Sequence, residues 1–171
     1  MSSSFITFTK GLSTLKAVLK KAEAHATSNN IPIDDLFNAR LIDDMLPLSF
    51  QVFVVNNTAI KAISRGTFVE PPVQAQNDKT FDDFYARIDE TLAEIEKVDL
   101  ASLAATKDKT FKAPLGRREV ELTFESYAAA FSLPTFFFHL VTVYNILRAR
   151  GVPLGKLDYL GGFLADSTPR V

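Results

Sequence analysis

The feature that most constrains the fold is a long apolar stretch near the C-terminus, residues 131–162, FSLPTFFFHLVTVYNILRARGVPLGKLDYLGG. The first part of it predicts a long helix that is buried on most sides. Arg148 and Arg150 suit the carboxyl end of such a helix, and Gly151 predicts where it stops. A single histidine, His139, lies in its interior. A histidine in this setting is either a hydrogen-bonded core residue or the polar centre of a pocket.

Composition excludes several classes of protein. The 171 residues suffice for one domain, 1–171, and the net charge of −1 provides no basic field for nucleic acid. Without cysteine, the chain has neither disulfides nor thiolate metal sites. No signal-peptide pattern is present, and Pro134, His139 and Asn145 interrupt the apolar residues 127–147, which favours a core helix over a membrane span. We therefore expect a cytoplasmic protein that binds neither nucleic acid nor a membrane.

Three further segments place apolar residues at every third or fourth position, the pattern of an amphipathic helix. In the second of them Asp43 suits the N-cap position, and in the third Thr80 and Asp83 have the spacing of a capping box. With the C-terminal helix, the four predicted helices cover residues 5–27, 43–64, 80–95 and 123–150. Four long helices, with a long connection between the second and the third, predict an all-α four-helix bundle.

Residues 109–124, KTFKAPLGRREVELTF, change from the helical period to an alternating one. Apolar and polar residues alternate around Pro-Leu-Gly-Arg, which predicts a short β-hairpin between the third and fourth helices. Residues 67–79 are interpreted as a long loop and residues 99–110 as a linker. Pro134 lies inside the fourth helix and predicts a kink that opens a cavity beside His139.

Candidate functional residues are the polar side chains on otherwise apolar helix faces. Asp44 and Gln51 stand seven residues apart, so both are expected on one face of the second helix. A buried amide such as that of Gln51 needs a partner, and His139 on the fourth helix is the natural one. Tyr144, about one turn further on, adds a hydroxyl. We take His139, Asp44, Gln51 and Tyr144 as candidate catalytic residues; the alternative is a small buried polar network that only fixes helix register.

A second group of residues is expected to contact a substrate. Asn38 and Arg40 stand just before the second helix, at the mouth of the bundle, with turn capping and surface charge as the alternative. In the run 136–138 three phenylalanines are consecutive, so at least one ring must leave the core face. Phe136 and Phe137 are candidate ligand-lining residues, with interhelical packing or a dimer surface as the alternative.

Four motifs follow one another along nearly the whole chain: AEAHA at 22–26, LFNARLIDDMLPL at 36–48 with Gln51 after it, EPP at 70–72, and LPTFFFHLVTVYNILRARGVPLGKLDYLG at 133–161. In this order they resemble domain-of-unknown-function family 1993, which belongs to the DinB/YfiT-like superfamily of helix bundles. The resemblance implies a DinB-like four-helix bundle that forms a homodimer. It supplies no reaction.

The resemblance also raises the question of a metal ion. DinB-like relatives typically carry three histidine ligands, one on the second helix and an H-x-x-x-H pair on the fourth. Here Gln51 stands where the first histidine is expected, and Val143 stands four residues after His139. The chain has only two histidines, and the other, His25, lies on the first helix. We therefore expect neither a metal ion nor any other cofactor.

These features together predict a phenylalanine-walled pocket that binds a hydrophobic, oxygenated small molecule. His139 would act as general acid and base, while Gln51 and Tyr144 would hold a carbonyl or enolate oxygen. The chemistry would be a cofactor-free isomerisation, dehydration or cyclisation, that is, an isomerase or lyase reaction, for example in secondary metabolism. The alternative is a non-catalytic bundle that binds a ligand or serves as a dimerising interaction protein.

Overall fold

The computed structural model describes residues 3–70, 73–115 and 117–165, and helices hold 68% of them. The elements are α1 (Ser3–Ser28), α2 (Ile33–Phe37), α3 (Leu48–Thr67), α4 (Phe81–Glu96), α5 (Leu100–Thr106), β1 (Thr110–Leu115), β2 (Arg118–Thr123), α6 (Phe124–Tyr127), a π-helical segment (Ala128–Ser132), α7 (Leu133–Ala149) and α8 (Lys156–Leu164). α6, the π-helical segment and α7 form one continuous helix, Phe124–Ala149.

Four long helices form the body of the structure. α1 packs against α4 and α7, and α3 packs against the same two helices. α3 runs antiparallel to the continuous helix: Gln51 near its start meets His139, and a Cβ built on Gly66 near its end would lie 3.5 Å from Phe124. The core between these helices is apolar, and its largest fully buried side chains include Phe5, Phe8, Phe84, Phe136, Leu12, Leu15, Leu48 and Ile88.

The N-terminus of α4 forms as its sequence predicts. The Thr80 hydroxyl accepts a hydrogen bond from the backbone N–H of Asp83 at 3.1 Å, and the Asp83 carboxylate accepts one from the N–H of Thr80 at 2.9 Å. This capping box satisfies N–H groups that the start of a helix leaves without partners. The predicted apolar face of α4 is turned to the core, where Phe81, Phe84, Ile88 and Ile95 are buried.

The second long helix starts later than predicted. α3 begins at Leu48, with Pro47 as its N-cap, and residues 41–45 form bends and turns. A proline disfavours the helical conformation of the residue before it, so the helix does not extend back from Pro47. Asp44 is therefore exposed in a turn, and the prediction that it shares a helix face with Gln51 is wrong.

The proline in the fourth long helix is accommodated by a change of helix type. Ala128–Ser132 has the wider π-helical geometry immediately before α7, and Pro134 lies in the first turn of α7. Proline has no N–H to donate and its ring crowds the preceding turn, so a locally wider turn relieves both constraints. The hydroxyl of Ser132 is left buried without a hydrogen-bond partner among the described residues.

The predicted hairpin is present. β1 and β2 pair antiparallel, from Thr110 opposite Thr123 to Leu115 opposite Arg118. Gly116 of the turn lies outside the described residues, as do Pro71 and Pro72 of the predicted loop at 67–79.

Two further helices, α5 and α8, lie outside the four long helices that the sequence predicts. α5 fills most of the expected linker, where Asp99 accepts a hydrogen bond from the N–H of Ser102 at 3.0 Å as its N-cap. α8 follows Gly151 and packs along α1. In the described part of the chain there are thus seven separate helices, counting Phe124–Ala149 as one, and a two-stranded hairpin. The fold is mostly helical, as expected, but it is not a clean four-helix bundle.

By length and composition alone, Phe124–Ala149 is long and apolar enough to cross a membrane. Core helices of soluble proteins meet the same criterion. In this fold α7 packs against α1 and α3, and Phe136, Leu140 and Val143 are buried in the core.

Candidate functional site at Gln51 and His139

Among the described residues, His139 on α7 has one side-chain hydrogen-bond partner, Gln51 on α3. Gln51 lies in the first turn of α3 and is 3% exposed. Its Nε2 donates a hydrogen bond to the backbone carbonyl of Leu46 at 2.8 Å. Its Oε1 lies 2.6 Å from Nδ1 of His139. The predicted partnership between Gln51 and His139 is therefore present.

The two hydrogen bonds of Gln51 determine the tautomer of His139. A backbone carbonyl only accepts hydrogen bonds, so the side of the Gln51 amide that faces Leu46 must be its NH₂ group. The opposite side, facing the imidazole, is then the carbonyl oxygen, which also only accepts. Nδ1 of His139 must therefore carry the hydrogen, and the lone pair of the neutral ring lies on Nε2.

The second ring nitrogen, Nε2, makes no hydrogen bond to the described residues. It is also not among their fully buried polar side-chain atoms without a partner, which are Asn56 Oδ1 and Ser132 Oγ, so it is not completely shielded from solvent. Burial of the ring lowers the pKa of His139 from its ordinary value of 6.5. The imidazole is therefore neutral near pH 7 and offers an acceptor at Nε2.

Apolar groups lie around the imidazole. The ring of Phe138 meets it edge-on with the centroids 5.1 Å apart, and the ring of Phe50 does so at 6.2 Å. The backbone of Leu46 lies beside the pair as well, because its carbonyl accepts a hydrogen bond from Gln51. Phe138 is 60% exposed and Leu46 is 47% exposed. We call Leu46, Phe50 and Phe138 the His139 rim.

The loop between α2 and α3 holds Leu46 in this place. The N–H of Leu48 donates to the carbonyl of Ala39 at 2.8 Å and closes the loop at its base. Arg40 Nη1 donates to the carbonyl of Met45 at 2.5 Å, one residue before Leu46. The result is a compact surface loop with close ends, a kind that frequently carries function.

The other two candidate catalytic residues are not joined to this pair. The hydroxyl of Tyr144 donates to the backbone carbonyl of Leu154 at 3.3 Å, and its ring packs on Tyr159. Five helical residues rotate Tyr144 by roughly 140° from His139, so the two side chains leave α7 on different faces. Asp44 is exposed and makes no hydrogen bond or ion pair to the described residues.

The candidate substrate-binding residues before α3 make local contacts. Asn38 Nδ2 donates to the carbonyl of Asp34 at 3.0 Å and so caps the end of α2. Arg40, as described, stabilises the loop that carries Leu46. Both contacts agree with the turn-capping alternative.

The three consecutive phenylalanines have three different environments. Phe136 is fully buried against Phe8, with centroids 5.1 Å apart, so it fills the core and does not line a pocket. Phe137 is half-buried and packs on Phe163. Phe138 leaves the core, as the pattern required of one ring. The ring of Phe138 packs against His139. The sequence signal for this contact was that Phe138 directly precedes His139, and Phe50 likewise directly precedes Gln51.

Four clefts among the described residues lie away from this pair. One of about 290 Å³, between the end of α3 and the end of α4, is lined by Ile60, Ile63 and Val98 among others. Three more lie beside Gly66, beside Arg150 and beside Arg87, with volumes of about 260, 460 and 330 Å³. His139 and Gln51 line none of these four. The expected phenylalanine-walled cavity is not found in them, and the Gln51–His139 pair lies beside the partly exposed apolar side chains of the His139 rim.

The residues at His139 do not fit a metal ion. Across the described ranges, no three side chains of His, Asp or Glu come together as a ligand set. Gln51 is unsuited as a second ligand, because its oxygen accepts from His139 and its nitrogen donates to Leu46. A catalytic zinc ion generally needs three protein ligands. The three-histidine arrangement typical of DinB-like proteins therefore has no equivalent here.

Comparison with known proteins identifies a family and a similar fold over nearly the whole chain. None of the curated proteins is significantly similar to this sequence. A similar solved structure is the crystal structure of a DinB family member protein from Shewanella denitrificans, with a TM-score of 0.85 and 31% identity over 98% of this chain and 92% of that one. The family described as "Domain of unknown function (DUF1993)" matches residues 2–160. With nearly its full length matched, and with a DinB-like fold, the protein belongs to the DUF1993 family.

Proposed function

We propose that this protein binds a hydrophobic, oxygenated small molecule at His139, whose Nε2 accepts a hydrogen bond or a proton from it. The observation that carries the proposal is the 2.6 Å contact between Gln51 Oε1 and His139 Nδ1. A polar network that only fixed helix register would be expected to satisfy both ring nitrogens, whereas Nε2 of His139 makes no hydrogen bond to the described residues. Here an otherwise costly buried amide holds the ring in one tautomer and leaves the other nitrogen open, as in sites where histidine works as a base.

The same arrangement supports metal-independent acid/base chemistry. Nε2 would take a proton from a hydroxyl or an activated C–H group of the ligand and return it to another atom, which gives isomerisation or cyclisation. In a dehydration the proton would go to the leaving hydroxyl, which departs as water. His139 would be the catalytic residue, with Gln51 as its positioning residue. Asp44 and Tyr144 have no role in this version, because neither is joined to the pair.

We further propose that α1, α3, α4 and the helix containing α7 act as the four-helix bundle of a DinB-like protein, on which the other elements are additions. Each of these helices packs mainly on two of the others, in the order α1, α4, α3, α7, which supports a closed bundle. The site then lies on the seam between α3 and α7, near the loop that connects α2 to α3.

A second candidate function is homodimerisation through the apolar surface at the site. Phe138 and Leu46 of the His139 rim are 60% and 47% exposed, and exposed apolar side chains that lie together mark contact surfaces between proteins. A dimer formed through the His139 rim would cover Nε2 and so compete with ligand binding. Light scattering of Phe138→Ser against the wild-type protein tests this function; a monomeric wild type would exclude it.

The direct test of ligand binding is native mass spectrometry of the protein purified from its source. We expect a co-purifying small molecule whose occupancy falls at least tenfold in His139→Ala and falls in Gln51→Leu. His25→Ala is the matched control, since His25 lies at the end of α1, where it contacts Asn29. Equal occupancy in His139→Ala and His25→Ala, or no ligand in any variant, contradicts the proposal.

A further inference from the structure

Most polar groups at the candidate site already form hydrogen bonds within the protein, which limits those that a ligand can use. Gln51 Nε2 donates to Leu46, and the Nδ1 hydrogen of His139 is given to Gln51. The hydroxyl of Tyr144, which was expected to hold a substrate oxygen, donates to Leu154. Gln51 keeps a second amide hydrogen, but the residue is only 3% exposed, so little of it can reach a ligand. The atom of the pair without a hydrogen-bond partner among the described residues is Nε2 of His139, which is an acceptor in this tautomer.

From this geometry we infer that the ligand of the site presents a hydrogen-bond donor on an apolar body, as a phenol or an apolar alcohol does. Compounds with the same body that can only accept, such as ethers, ketones and carboxylates, are disfavoured. The inference rests on the proposed function and adds the polarity of the ligand to it. It also replaces the expectation that the site holds a carbonyl or enolate oxygen.

The surroundings of the pair agree with this choice. The His139 rim supplies apolar contact for the body of the ligand, with rings at 5.1 and 6.2 Å from the imidazole and with the exposed side chain of Leu46. The loop from Ala39 to Leu48 carries Asp43 and Asp44 against a single cation, Arg40, so its net charge is −1. A net negative loop disfavours an anionic ligand, and burial disfavours the imidazolium form that would attract one.

The expected preference for donor ligands over acceptor-only ligands follows from the free energy of one hydrogen bond at a partly exposed site. Losing such a bond reduces affinity by about three- to tenfold. An acceptor placed against the lone pair of Nε2 is repelled in addition. We therefore expect a donor ligand to bind on the order of tenfold more tightly than its acceptor-only analogue.

The experiment compares four probes that share one body: 4-propylphenol, its methyl ether 4-propylanisole, 4-propylacetophenone and 4-propylbenzoate. Each is titrated into the full-length protein while the imidazole ¹⁵N signals of His139 are followed by NMR, with His25→Ala used to assign them. We expect 4-propylphenol to shift the Nε2 signal at concentrations about tenfold lower than the other three. A ketone or a benzoate that acts at the same or a lower concentration overturns the donor rule but leaves the site in place. If none of the four shifts His139, both the donor rule and the proposed function fall.

The substitution Gln51→Glu should turn Nε2 of His139 from a hydrogen-bond acceptor into a donor. A carboxylate beside Nδ1 stabilises the imidazolium, in which both ring nitrogens donate. We expect this variant to prefer 4-propylbenzoate over 4-propylphenol, opposite to the wild type. An unchanged order of the four probes in a folded Gln51→Glu protein contradicts the assignment of Nε2 as the deciding group. If the variant does not fold, the wild-type series decides alone.

Discussion

Oε1 of Gln51 and Nδ1 of His139 lie 2.6 Å apart across 88 residues of sequence, and this contact ties the start of α3 to the middle of α7. Because Nε2 of the same glutamine donates to Leu46, the pair has one consistent set of hydrogen positions. The loop before α3, the helix α3 and the helix α7 are thereby joined at one point.

The first prediction concerns the tautomer of His139. We expect ¹⁵N NMR at neutral pH to show Nδ1 protonated and Nε2 unprotonated. The side chain of free histidine prefers the opposite tautomer, so the result would be specific to the Gln51 contact. In Gln51→Leu the preference should weaken or reverse. A His139 that is protonated on Nε2 in the wild-type protein would contradict the hydrogen positions assigned here.

The second prediction concerns the dependence of stability on pH. Burial lowers the pKa of His139 below its ordinary value of 6.5, so between these two pKa values the unfolded chain binds a proton that the folded chain does not. The contribution of His139 to stability is therefore fully present above pH 6.5 and is lost as the pH falls through the folded-state pKa.

Urea denaturation of the wild type and of His139→Gln at a series of pH values between about 5 and 8 measures this contribution. The free energy of unfolding should fall more steeply toward low pH in the wild type than in the variant. Titration of the carboxylates is common to both proteins and cancels in the difference. Parallel curves would show that His139 titrates alike in the folded and unfolded states.

The third prediction concerns Arg87, which anchors the connection between α3 and α4. Its guanidinium donates to both carboxylate oxygens of Asp78 at 2.8 Å, to the carbonyl of Ala75 at 2.7 Å and to Gln74, and it lies over the ring of Phe53. Both charged side chains are more than nine-tenths buried. Removing one partner leaves the other charge unpaired in the interior.

We expect Arg87→Ala to lower the free energy of unfolding by about 3–5 kcal/mol. The matched control is Lys97→Ala, which removes an exposed ion pair with Glu94 and should cost less than about 1 kcal/mol. Chemical denaturation of the three proteins gives both values. Similar losses in the two variants would mean that the buried pair is no more important than a surface one.

The fourth prediction concerns the docking of α8 on α1. A Cβ built on Gly162 would lie 2.8 Å from the carbonyl oxygen of Lys10 and would also collide with Thr14, whereas one built on Gly161 meets nothing within 4 Å. The same interface holds hydrogen bonds from Lys10 to the carbonyl of Phe163 at 3.0 Å and from Thr14 to the carbonyl of Tyr159 at 3.1 Å.

Gly162→Ala should therefore push α8 away from α1, with a loss of roughly 1–3 kcal/mol and faster hydrogen exchange in residues 156–164. Gly161→Ala should be neutral or should stabilise the protein by up to about 1 kcal/mol, because alanine favours a helix. Equal exchange rates in α8 of both variants would show that the close contact at Gly162 is not what holds this helix.

The fifth prediction concerns metal ions. The donor set at His139 lacks the three ligands that a transition-metal ion needs, so we expect elemental analysis of the purified protein to find well under one such ion per chain. The melting temperature should not change with EDTA. About one zinc, nickel or iron per chain, lost in His139→Ala, would restore a metal-dependent function.

Several features were readable from the sequence because their causes lie within one element. The apolar face of α4 and its Thr80–Asp83 capping box follow from residues three and four positions apart, and the hairpin follows from an alternating pattern around a turn. The pairing of Gln51 with His139 was also predictable. Each is a polar side chain in an otherwise apolar helix face, and a buried amide requires a partner.

What the amino-acid sequence alone determined was the set of long helices, the faces that they bury and the two polar groups that must meet between them. Only the tertiary structure decided how the hydrogen bonds are directed and what surrounds them. Gln51 donates a hydrogen bond to the backbone carbonyl of Leu46, and Tyr144 donates one to that of Leu154. Because every residue has a backbone carbonyl, the pattern of side chains does not predict which carbonyl will lie near a given donor. Likewise, α8 is a helix in contact with α1 some 150 residues away in sequence, a contact that exists only after the chain has folded. Periodicity reports on neighbours along one helix, whereas the chemistry of this site depends on backbone groups brought together from separate elements.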